Sequence, residues 1–140
     1  MRLFKIVNGR ELQMTFWRIW AALLGSSLII GEMIRSWGQG RNFLFVFDDF
    51  LIGIPLVVTA ILMAKPSVAR HCAFSAAYAA AAGMLYSSFF GKLVNPDKPM
   101  SSNIEGGFLT FLIGLAFVAA LAGLCASIYI ANQYRGRRIT

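Results

Sequence analysis

Residues 107–131 read GFLTFLIGLAFVAALAGLCASIYIA, a stretch without one Asp, Glu, Lys, Arg, His or Pro. About 20 apolar residues, each adding about 1.5 Å of helix, cover the hydrocarbon core of a bilayer, so this stretch reads as a membrane-spanning helix. Working back from it, three more runs are predominantly apolar and of similar length: 16–34, 43–64 and 71–91. The expected fold is therefore all-α, a polytopic membrane protein with a four-transmembrane-helix bundle over 16–131 and short loops. It is flanked by a basic segment at 1–15 and a basic cytoplasmic tail at 132–140.

The bulk composition points the same way. The 140 residues are 58% hydrophobic and 14% charged, whereas soluble domains carry about 25% charged residues. Mean hydropathy is +0.66, more apolar surface than a soluble domain of this length could hide. The net charge of +7 would suggest nucleic acid in a soluble protein. Here the bases gather at the ends of apolar runs, as membrane insertion produces, and no nucleic-acid partner is expected. The lipid bilayer is the expected partner, together with a membrane protein or further copies of the chain.

Lys and Arg set the orientation. Arg2, Lys5, Arg10, Arg18, Lys65, Arg70, Arg135, Arg137 and Arg138 fall on one side, and only Arg35, Arg41, Lys92 and Lys98 on the other. Both termini are accordingly expected in the cytoplasm, with the chain multi-pass in the plasma (inner) membrane. Trp17, Trp20, Tyr129 and Tyr134 mark the inner ends of spans and Trp37 and Tyr86 the outer ends, where amphipathic rings favour the headgroup level. Span one reads as a retained anchor, because Gly31-Glu32-Met33-Ile34-Arg35 is a poor signal-peptidase site. Residues 1–15 alternate bases with Leu3, Phe4, Ile6, Val7 and Leu12. Such a segment either lies along the inner leaflet or is a disordered basic tail.

Helices in lipid gain little from packing Leu on Leu, so small residues mark close contacts. Ser75, Ala79, Gly83, Ser87 and Gly91 recur every four residues in span three, and Ala119, Gly123, Ser127 and Ala131 do so in span four. These two stripes are expected to face each other, with a partner subunit as the other destination. Pro55 follows Gly53 inside span two and predicts a kink.

The candidate site is a polar cluster on the outer side: Glu32 and Arg35 at the end of span one, Arg41 in the loop, Asp48 and Asp49 about one turn into span two. Adjacent helical residues point about 100° apart, so only one aspartate can face the bundle. Three readings are open: a structural ion-pair network, a cation or proton site, and acid–base catalysis by paired carboxylates. The last lacks a nucleophile, a metal-ligand set or a cofactor motif beside it. No cofactor is expected, the metal question stays open, and the chain is read as non-enzymatic.

The remaining features read as structural. Asn95-Pro96-Asp97-Lys98-Pro99 is a rigid turn, with Ser101, Ser102 and Asn103 as candidate caps for span four. Cys72 and Cys125 map to the inner half of the membrane and read as small buried side chains, and His71 as a polar residue at the inner interface. No CxxC pair, no acid in the middle of span one and no arginine ladder in span four is present. The expected function is that of a small accessory or stabilising subunit that docks by its helices in a larger membrane assembly. The alternative is a small homo-oligomeric transporter or ion-conducting protein that uses the outer carboxylates.

Overall fold

The computed structural model describes the backbone of residues 2–38, 43–95 and 106–136, and the side chains of 11–38, 47–95 and 106–134. Four helices make up the described chain: α1 (Arg2–Ser36), α2 (Phe43–Leu62), α3 (Val68–Val94) and α4 (Gly106–Gly136). The backbone of α1 is helical from Arg2 and passes residue 16 without a break. Two of the helices are long and apolar enough to cross a membrane, over Glu11–Ser36 and Gly106–Tyr134. Many positions of α3 are Ala, Ser or Gly, where α4 is richer in Leu and Ile.

Contacts run antiparallel along each hairpin. On the α1–α2 side, Arg18 meets Ala60, Gly25 meets Gly53 and Arg35 meets Asp49. On the α3–α4 side, His71 meets Tyr134, Tyr78 meets Gly123 and Phe89 meets Gly114. The two hairpins join chiefly through α2 and α3, and the α1–α4 seam is the loosest of these contacts.

The centre of the bundle is built on one aromatic. Tyr78 is fully buried, its ring lies on Gly123 where a Cβ would otherwise stand, and its hydroxyl donates to the Trp17 carbonyl of α1 at 3.3 Å. One side chain thus ties α3 to α4 and α1. Phe74 packs edge-on against it at 5.1 Å between ring centres, and Ala77, Ala81, Ala82 and Leu85 complete the buried face of α3.

This face is not the one expected from the small-residue pattern. Ala79, Gly83, Ser87 and Gly91 are exposed, and a Cβ built at Gly83 or Gly91 meets nothing within 4 Å. Ser75 alone of that stripe is partly buried. The α4 stripe does face inward, with Gly123 and Ser127 buried and Ala119 and Ala131 partly so. It receives the Tyr78 ring rather than a matching smooth face. Burying the face that carries Phe74, Tyr78 and Leu85 removes more surface and makes more contacts than burying the stripe of Ala79, Gly83, Ser87 and Gly91, which leaves the small stripe exposed.

Three further positions differ from expectation. Cys72 and Cys125 are exposed on the outside of the bundle rather than buried. His71 is buried, its ring 4.7 Å from that of Tyr134, because the end of α4 folds over the α2–α3 connection and the Tyr134 hydroxyl donates to the Pro66 carbonyl at 3.2 Å.

Bases cap the free carbonyls at the end of α2. A helix leaves its last carbonyls without helical donors and its end partially negative. Arg18 donates to the Ala60 carbonyl at 2.9 Å, and Arg70 to the carbonyls of Leu62 and Lys65. Ser67 then caps α3 by accepting from the Arg70 backbone N–H. Through Pro55, α2 continues as one helix. The Thr59 hydroxyl donates to the Pro55 carbonyl at 2.6 Å.

Candidate functional site

The helical repeat places Glu32 and Arg35 one turn apart on α1, and the antiparallel course of α2 brings Asp49 to the same level. Glu32 is 1% exposed. Its carboxylate pairs with the Arg35 guanidinium and accepts from the Ser36 hydroxyl. Arg35 also reaches Asp49 at 3.5 Å, and the carboxyls of Glu32 and Asp49 lie within hydrogen-bonding reach of each other. Three of the five residues singled out by sequence therefore meet.

Asp48 and Asp49 diverge as helical geometry requires. Asp49 turns into the bundle and Asp48 stays exposed. Arg41 lies outside the described residues, as do Pro96–Pro99 and the candidate caps Ser101, Ser102 and Asn103.

The cluster stands at one end of a cavity of about 1420 Å³ between α1 and the α3–α4 hairpin. Drug-sized sites occupy roughly 300–1,000 Å³, so this crevice is large. Glu32, Arg35, Asp48 and Asp49 line one end, joined by Lys92 from α3. Leu23, Leu112 and Leu115 line its length, and Trp20 and Ala119 reach the far end. Leu23 and Leu115 are also more than half exposed, so the crevice opens sideways through the loose α1–α4 seam. Among the described residues no three His, Cys, Asp or Glu side chains converge as a metal site requires.

A tight backbone crossing escaped the sequence reading. Gly25 of α1 and Gly53 of α2 cross so tightly that a Cβ on either would stand 2.6 Å from the other's carbonyl oxygen. Gly25 has only Ala21 as a small residue four positions away and Gly53 has none, so the long repeat that singled out α3 and α4 gives no signal here. Tyr78 carried none either, since a tyrosine inside an alanine-rich span looks like any other core aromatic. No protein-family model matches the chain, and neither a curated protein nor a solved structure matches it.

Proposed function

We propose that the chain is a four-span membrane subunit, both ends cytoplasmic, that docks through its helices in a larger membrane assembly or stabilises one. Exposed Leu, Ile, Phe and Val side chains on all four helices support the membrane setting: Ile19, Leu23, Leu51, Val58, Phe90 and Leu115 are among them. An apolar surface of that extent on a small chain marks contact with lipid or protein. Several polar side chains are turned inward, Glu32, Thr59, His71 and Ser127 among them.

The outward stripe of α3 carries the docking reading. Other exteriors of the bundle present large side chains, which fill lipid well. Here Ala79 and Gly83 leave a smooth patch with open space over Gly83, a surface on which a second helix backbone can approach closely, while Ser87 and Gly91 farther along the helix line the crevice. Gly83→Leu is expected to leave the thermal stability of the isolated chain unchanged or raised by up to ~1 kcal/mol, since leucine is the better helix former. The same change is expected to dissociate the native complex isolated in mild detergent. A complex of unaltered mass and composition in the variant would sink the docking reading.

The cavity favours a second reading, a small transporter that admits its substrate at the outer carboxylates. Asp48→Asn is then expected to stop flux in reconstituted vesicles while the protein remains folded. Undiminished flux would remove Asp48 from that role.

A further inference from the structure

Among the described residues, the charges that line the crevice do not balance. Glu32, Asp48 and Asp49 contribute three carboxylates, and Arg35 and Lys92 contribute two bases. Arg35 is already engaged by Glu32 and Asp49. Asp48 stands exposed at the mouth, and among the described residues no base pairs with it. A complementary occupant brings one positive charge to that end.

The rest of the crevice decides what carries the charge. From Glu32 to Trp20 is twelve residues of α1, about 18 Å of helix at about 1.5 Å per residue, and Leu23, Leu24, Leu28, Leu112, Ile113 and Leu115 line that distance. A hard metal ion wants several oxygens and no apolar wall, and the described residues offer no such convergence. An apolar body with a single cationic head fits both ends. The sideways opening past Leu23 and Leu115 lets such a molecule enter from the bilayer, where it would already be concentrated.

We propose that the α1–α4 crevice binds a lipophilic organic monocation, with its charged head at Asp48 beside the Glu32–Arg35–Asp49 group and its apolar body along Leu23, Leu112 and Leu115. This deepens the transport reading by naming a ligand class, and rests on that reading's use of the outer carboxylates. Binding without transport would retire the transport reading and leave the site standing.

The test uses the purified full chain in mild detergent and two probes of nearly identical shape, tetraphenylphosphonium and tetraphenylborate. Saturable binding of each is measured by equilibrium dialysis against protein-free micelles. The cation is expected to bind at about one per chain and at least roughly tenfold more tightly than the anion, the scale set by reversing one charge near a carboxylate in a partly dry site. Asp48→Asn, an exposed position that the fold does not use, is expected to weaken the cation roughly fivefold or more and to leave the anion unchanged or improved. Equal binding of both ions, no saturable cation binding, or cation binding indifferent to Asp48→Asn each overturns the proposal. Flux is measured separately on the same preparation in vesicles, so loss of transport and loss of binding are read independently.

Discussion

Gly53→Val is expected to force α1 and α2 apart and to lower the stability of the bundle by about 3 kcal/mol, the upper part of the range for overpacking a well-filled contact. The Cβ alone would stand 2.6 Å from the Gly25 carbonyl oxygen and 2.6 Å from Cγ1 of Ile29. Ile29 can change rotamer, but the carbonyl belongs to the backbone of a helix and cannot move without it. The same reasoning applies from the other side, since a Cβ at Gly25 meets the Gly53 carbonyl together with Leu56 and Val57. Valine is intrinsically a better helix former than glycine, so helix propensity opposes the expected loss, and a measured loss belongs to the interface. Thermal unfolding in detergent checks the point. Gly25→Val and the double variant should each cost about as much as Gly53→Val alone, because the first change already breaks the contact both share. A variant that unfolds at the wild-type temperature would mean that α1 and α2 do not cross at these glycines.

The α1–α2 crossing shows where sequence reading stops. Apolar runs located four helices, of which two, over Glu11–Ser36 and Gly106–Tyr134, are long and apolar enough to cross a membrane. Boundaries came out close for α2, with 43–64 expected and Phe43–Leu62 found, and short for α1, whose helix begins at Arg2. Charge was legible too: Glu32, Arg35 and Asp49 meet because a hairpin with a short outer loop must bring the end of one helix beside the start of the next. The facing of helices was not legible. A ladder of small residues marks a surface that another backbone can approach, but it does not say which backbone. In α3 the ladder faces outward because Phe74, Tyr78 and Leu85 lie on the opposite side and fill the core. In α4 it faces inward because Gly123 makes room for the Tyr78 ring. The pairing is large into small rather than small against small, a relation between two distant positions that no single-helix periodicity contains.

Arg35→Ala is expected to be the most damaging single change at the polar cluster, costing about 3–5 kcal/mol, the usual result of removing one member of a buried ion pair. Glu32 is 1% exposed and depends on Arg35 for charge compensation, and Asp49 lies close on the facing helix. Without the guanidinium, two carboxylates share a site from which water is largely excluded, and their repulsion adds to the desolvation of Glu32. The neutralising double variant Glu32→Gln with Arg35→Gln separates this from a loss of side-chain volume. Glutamines keep hydrogen-bonding groups near Ser36 and Asp49 while removing both charges, so the double variant is expected to be more stable than Arg35→Ala and close to wild type. That ordering would make the pair a device for orienting the α1–α2 hairpin whose net contribution to stability is small, since buried pairs roughly offset their own desolvation. If Arg35→Ala melted at the wild-type temperature, Glu32 would have to be solvated, and its burial beside Arg35 would be wrong. If the double variant fell as far as Arg35→Ala, the loss would come from packing around the guanidinium, and charge compensation would not be what holds Glu32 in place.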